Sequence, residues 1–145
     1  MSKYAYLAGL MDADGTFTIH IRKYKNYTSY VPLMFLYNTD GKLLDWVQNN
    51  FPTTYRRITV NDNGWKDQQN LQFSSGNQME IIPKLLPYLT IKKDRAKMVL
   101  ELCKINNDLL GVTRRYNAGK EKHEKYNARK NELFMLVREA NKRGK

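Results

Sequence analysis

The chain has 145 residues, 25 Lys and Arg against 14 Asp and Glu, and a net charge of +11, with a pI near 9.7. That length suits one domain with a genuine core, and such a charge surplus attracts polyanions, whether DNA, RNA or an acidic membrane surface. No run approaches the roughly 18 apolar residues of a membrane span, no leader pattern opens the chain, and the single Cys103 excludes an internal disulfide and a thiolate metal cluster, so a soluble protein of a reducing, intracellular compartment is expected.

Ser2 can cap a first helix running to about Asp12. Tyr4, Leu7, Leu10 and Met11 supply apolar bulk at helical spacing, while Ala5, Ala8 and Gly9 are small enough to let another helix approach closely. Two carboxylates, Asp12 and Asp14, then precede Gly15. A helix C-terminus already carries about half a negative charge, so acids are disfavoured there. Either these are ordinary turn acids after a cap, or a divalent cation accounts for them. Magnesium, a hard ion, is held by one or two carboxylates and fills its shell with water and phosphate oxygens.

The segment Thr16–Tyr24 alternates with period two, directing Phe17, Ile19 and Ile21 to a core and Thr18, His20, Arg22 and Tyr24 outward. A turn over Lys25–Ser29 leads to a strand over Tyr30–Asn38 that is apolar on both faces and has no readable orientation. Thr39 or Asp40 starts a helix carrying Leu43, Leu44, Trp46 and Val47. Strands over Tyr55–Asn61 and Lys66–Ser75 meet through Asn61-Asp62-Asn63-Gly64, whose Asn-Gly is a strong hairpin signal. In the second of them Leu71 and Phe73 alternate with Gln68, Asn70, Gln72 and Ser74. Asn77 and Glu80 form a capping-box-like pair for another helix, in which Pro83 predicts a kink or an early stop. Asp94 is expected to cap the next helix, with Ala96, Val99, Leu100 and Cys103 on one face. Gly111–Gly119 reads as a linker, and the tail from Lys120 to about Asn141 as a helix aligning Leu133, Leu136, Val137 and Ala140.

His20, Arg22, Arg57, Gln68, Asn70 and Gln72 are of the types that hydrogen-bond base edges in the major groove, which also admits a two-stranded ribbon. A strand of about ten residues spans roughly 33 Å, so one chain would cover about ten base pairs. A solvated sheet face is polar as well, so these residues alone leave both readings open.

The stretch Leu7-Ala8-Gly9-Leu10-Met11-Asp12-Ala13-Asp14-Gly15, followed at once by an alternating strand, resembles the signature of the LAGLIDADG homing endonuclease family. Only Met11 departs from the nine letters of that name, in place of isoleucine, and element spacing extends the resemblance to about residue 107. The resemblance implies an α+β fold of αββαββα order with an antiparallel DNA-binding sheet and, here, an extra C-terminal helix or helices. Residues 1–110 would be the endonuclease core and 111–145 a basic helical extension of the same domain. The implied chemistry is metal-dependent phosphodiester hydrolysis with Mg2+ or Mn2+, making a staggered double-strand break in a long DNA site.

Carried over by position, the resemblance implies Asp14, Asp40 and Lys92 as catalytic residues, with metal oxygens from Asp14 and the Ala13 carbonyl. It implies base or backbone contacts from Thr18, His20, Arg22, Tyr24, Arg57, Thr59, Asn61, Gln68, Asn70 and Gln72. The family has an acid or amide at the end of the second strand, where this chain has Asn38-Thr39-Asp40, and Asp40 is assigned to that place. Capping the next helix is an equal role for it. Asp12 serves metal, packing or helix termination. Lys92 is favoured over Lys93 for activating or organising the attacking water, with a solvated charge or a simple phosphate contact as the alternative. An arginine of the helix after the second strand has no counterpart, Leu43 and Leu44 standing there with Lys42 nearby. Only one copy of the nonapeptide is present, so the resemblance implies a C2 homodimer joined through Ala5, Ala8 and Gly9, on a pseudo-palindromic site of roughly 20 base pairs. A monomer would leave the centre half built.

From Val112 onward there are 11 Lys and Arg against 4 Asp and Glu. Arg114, Arg115, Lys120, Lys122 and Lys125 either contact phosphates or form a solvated face. Three function classes follow: a sequence-specific DNA endonuclease, an intron-RNA maturase on the same scaffold, and a catalytically silent DNA-binding protein. The abundance of Asn, Lys and Tyr fits an A·T-rich genome such as that of a chloroplast or mitochondrion.

Overall fold

The structure is a computed structural model describing residues 2–51, 54–59, 62, 64, 67–114 and 117–143. Its elements are α1 (Lys3–Asp14), β1 (Gly15–Lys23), β2 (Thr28–Asn38), α2 (Gly41–Asn50), β3 (Tyr55–Thr59), β4 (Gln68–Phe73), α3 (Ser75–Leu85), α4 (Lys93–Asp108) and α5 (Asn117–Arg143). The four strands form one antiparallel sheet in the order β1-β2-β4-β3. The expected α+β order is present, with two helices after α3, and no helix is long and apolar enough to cross a membrane.

Strand register settles the facing of β2. Phe17 pairs with Met34 and Gly15 with Leu36, while Met34 pairs with Phe73 and Leu36 with Leu71. All five side chains among these are buried, so one face of the sheet is apolar. Against it pack Leu7 and Met11 of α1, Ile81, Ile82 and Leu85 of α3, Val99 and Leu102 of α4, and Leu133 and Val137 of α5. The opposite face of β2 carries Val31, Leu33, Phe35 and Tyr37, because side chains alternate along a strand.

Several boundaries differ from the sequence expectation for identifiable reasons. Helix α1 runs through Asp14, two residues past the expected end, so Asp12, Ala13 and Asp14 form its last turn. Ser74, not the Asn77–Glu80 pair, caps α3, its side chain accepting from the Asn77 amide at 3.2 Å. Pro83 does not stop that helix; it lies in the last turn, where a missing N–H costs a single ladder bond. Asp94 sits in the first turn of α4 rather than at its cap, where its charge still favours the positive helix end. Lys92 occupies the cap without a side-chain bond to the helix, because an ammonium has no lone pair with which to accept from the helix amides. The expected Asn61–Gly64 hairpin falls largely outside the described residues, although Gly64 has the positive φ of 82° that such a turn requires.

The C-terminal tail is built into this body. Arg129 of α5 pairs with Glu101 of α4, the NH2 group donating at 2.8 Å, and also with Glu132. Asn141 donates to the Phe17 carbonyl at 3.2 Å, fixing α5 to β1. Its inward stripe is Tyr126, Lys130, Leu133, Phe134 and Val137, and Leu136, expected inward, is 43% exposed. Leu136 follows Leu133 by three residues but stands next to Val137, and the 3.6-residue period turns it outward.

Candidate active site

The end of α1 brings four chain segments together. Gly15 leaves the helix directly into β1, and its amide donates back to the Met11 carbonyl. A Cβ at Gly15 would stand 2.7 Å from the Met11 Cα, so glycine is required there by space rather than by φ, which is −89°. Asp12 turns toward the segment before α4. Its carboxylate accepts from the backbone amides of Thr90 at 2.8 Å, Ile91 at 3.2 Å and Lys92 at 3.0 Å. Asp12 is thus an anchor, holding residues 78–80 positions away.

That anchor delivers Lys92. Its ammonium donates to the Met11 carbonyl at 3.0 Å and to the Gly15 carbonyl. A cation is thereby placed on the negative end of α1, where the sequence of the helix itself supplies none. Burial pushes the Lys92 ammonium below the ordinary lysine range, with Arg95 acting in the same direction and Asp12 and Asp14 opposing it. Between the two candidate lysines, Lys92 is the one that reaches the helix end.

Asp14 points the other way, toward the end of β2. Its Oδ2 accepts from Asn38 Nδ2 at 3.3 Å, and the side chain is otherwise exposed. The Asn38 amide is itself fixed, its Oδ1 accepting from the Asp40 backbone amide at 2.8 Å. Asp40 does not join this group through its carboxylate. That carboxylate caps α2, accepting from Lys42 and Leu43 amides at 2.9 and 3.4 Å. At the end of β2 it is Asn38 that contacts Asp14, while Asp40 fills the capping role also expected of it. An N-cap signature and a site signature two residues apart look alike in sequence, and only the β1–β2 register puts Asn38 beside the helix end.

Arg56 supplies a guanidinium that sequence reasoning missed. From β3 it donates to the Gly41 carbonyl at 2.9 Å and to Gln69 at 2.6 Å, and it pairs with Asp45. It braces the start of α2.

Among the described residues no group of three or more His, Cys, Asp or Glu converges. The oxygens at the helix end that could hold a metal are the Asp14 carboxylate and the Ala13 carbonyl, which lies in the last turn, where a helix runs out of intrahelical donors. Ala5 is half-buried, and Gly9 and Ala13 are exposed. These three small residues, four apart, form the open stripe of α1. Ala8, expected on that stripe, is fully buried inside its own chain and cannot front a second helix.

The outward face of the sheet collects the predicted contact residues. Register places Thr18 beside Leu33, His20 beside Val31, Asn70 between Tyr37 and Arg57, Gln72 between Phe35 and Tyr55, and Gln68 beside Thr59. His20, Arg22, Arg57, Thr59 and Gln68 are exposed, and Tyr55 donates to Gln72. Asn70 is enclosed, 9% exposed, and its Oδ1 has no hydrogen-bond partner. Asn61 lies outside the described residues. Tyr24 closes the β1–β2 turn and stacks on Tyr27 at 4.7 Å between ring centroids. Both line a cleft of about 990 Å³ with Lys25, Arg114, Lys120 and His123. Arg114 lies 4.0 Å above the Tyr27 ring, while Lys122 is engaged with the Asp108 carbonyl.

No protein-family model and no curated protein sequence matches the chain. Solved structures do. Homing endonuclease I-CvuI, in complex with the I-CreI target, superposes with a TM-score of 0.64 at 20% identity, over 98% of this chain and 94% of that one. The fold is that of the LAGLIDADG homing endonucleases. The archaeal intron-encoded homing endonuclease I-Vdi141I, complexed with DNA, matches at 0.61 and 15% identity over 96% of each chain. The LAGLIDADG homing endonuclease I-GzeII, in complex with its DNA target, matches at 0.66 and 22% over 86% of this chain and 42% of that one. In this LAGLIDADG fold the nonapeptide is the C-terminal part of α1 and the entry to β1.

The two acids of the motif are expected to separate in stability measurements. Asp12→Ala removes an acceptor shared by three amides and should lower unfolding stability by about 2 kcal/mol. Asp14→Asn should leave it unchanged within about 0.5 kcal/mol, since it relieves an acid at a helix C-terminus. Urea unfolding with unchanged slope checks both; equal losses would contradict the division of roles.

Proposed function

We propose that this protein is a sequence-specific DNA endonuclease acting as a homodimer with divalent metal ions. The observation that carries the reading is the exposed Asp14 carboxylate, held by Asn38 at the end of a helix whose next residue begins the outward-reading strand. Resemblance of the nonapeptide and the fold shared with homing endonucleases seen with DNA support it.

The donor set is all oxygen and hard, which suits Mg2+ or Mn2+. Asp14 and the Ala13 carbonyl of one chain, with the same pair from a second chain, would complete it. When bound, such ions supply positive charge to the scissile phosphate and acidify the attacking water. The chain's own residues do the rest. Asn38 sets the orientation of the Asp14 carboxylate. Lys92, anchored through Asp12, neutralises the helix end and presents an ammonium within reach of a water or phosphate oxygen beside Asp14. The outward sheet face lies in the major groove and fixes which phosphate meets Asp14. Two chains related by a two-fold axis would each cut one strand, giving a staggered break in a near-palindromic site.

Asp14→Asn is expected to bind a selected duplex within about threefold of wild type while losing cleavage by at least about a hundredfold. Cleavage at the wild-type rate would remove Asp14 from the mechanism. The dimer has its own test. A Cβ at Gly9 meets nothing within 4 Å in the single chain. Gly9→Leu should therefore fold normally yet sediment as a monomer on DNA and fail to cut, whereas an unchanged dimer would exclude the α1 stripe as the contact.

A further inference from the structure

The facing of β2 gives the reading surface a feature that its charge does not explain. The solvent face of an antiparallel sheet is ordinarily polar, and β1, β3 and β4 obey this with Thr18, His20, Arg57, Gln68 and Gln72. On β2, an interior strand, the corresponding positions are Val31, Leu33 and Phe35, all half-buried between their cross-strand neighbours. The core positions of the strand, Pro32, Met34 and Leu36, are separately accounted for by burial on the other face. Three apolar side chains thus run along the middle of a surface otherwise made of amides, hydroxyls and cations.

We infer that Val31, Leu33 and Phe35 form a thymine-methyl contact strip, which makes the half-site beneath the centre of the sheet A·T-rich. This rests on the reading of the protein as a duplex-DNA endonuclease. In the major groove the one apolar group that projects from a base pair is the C5-methyl of thymine; cytosine carries only a hydrogen at that position, beside its N4 donor. Pressing the cytosine amine or the guanine O6 and N7 against Leu33 or Phe35 would strip them of water without a partner, which is costly. The strip therefore selects by exclusion as well as by attraction. Its flank suits the same base pairs. Gln72, only partly buried, stands beside Phe35 in register, and a Gln amide pairs with adenine N6 and N7. From Val31 to Phe35 the strand rises about 14 Å, or about four base-pair steps at the rise of one nucleotide.

The test is a duplex recovered by selection from a randomised library, compared with the same duplex in which single thymidines are replaced by deoxyuridine. That change deletes the methyl and leaves every hydrogen-bonding group in place. Wild-type protein is expected to bind about fourfold more weakly for each contacted methyl lost, the factor expected for one buried methyl group. Leu33→Ala and Phe35→Ala should bind the thymidine and deoxyuridine duplexes alike, circular dichroism confirming their fold. The wild-type comparison stands whatever these variants do. Equal binding of both duplexes by a protein that cuts them, or G·C pairs selected across those positions, would overturn the strip and leave the endonuclease reading intact. Failure to bind any duplex in the library would overturn both.

Discussion

The negative end of α1 is the constraint on which the rest of this molecule depends. Two acids there add to a helix end that is already negative, and the fold compensates in two ways. Lys92 places an ammonium on the Met11 and Gly15 carbonyls, and Asp12 turns its charge into an acceptor for three amides before α4. The first offsets the dipole, and the second removes one acid from competition with the other. What is left is a single exposed carboxylate, Asp14, supported by one amide.

This node also fixes geometry. Because α1 passes into β1 without a loop, Asp14 and β1 are one continuous piece, and Leu7, Ala8 and Met11 bury that piece in the core. Helices α4 and α5 clamp the back of the sheet, through Asn106 to the Tyr30 carbonyl and Asn141 to the Phe17 carbonyl. The front is left for a partner, with Arg56 bracing α2 against β3 and β4 at its far edge. Under the proposed function, recognition and chemistry would be held at a constant offset, which is what cutting at one defined phosphate demands.

Much of this was legible in the sequence because local signals agreed with one another. The nonapeptide, the period-two alternation of Phe17 and Ile19, and the alternation of Leu71 and Phe73 with amides each specify an element and a face. The site was less legible where two roles share one residue type. Asp40 reads equally as a cap and as a site acid, and only the β1–β2 pairing gives the site to Asn38. Asp12 pairs with amides some 80 residues away, a contact with no local trace. The facing of β2 was hidden because both of its faces are apolar, one for the core and the other on the outward surface. Ala8 and Leu136 were misplaced for a simpler reason: a small or apolar residue at helical spacing fits two adjacent faces, and packing decides between them.

The most direct measurement is cleavage of a randomised duplex library in magnesium, followed by sequencing of the cut molecules. The account predicts recovered sites that are inverted repeats of about 20 base pairs, cut on both strands near the centre of symmetry. Tight, salt-sensitive binding with no cut molecules, or cut sites lacking two-fold symmetry, would contradict it.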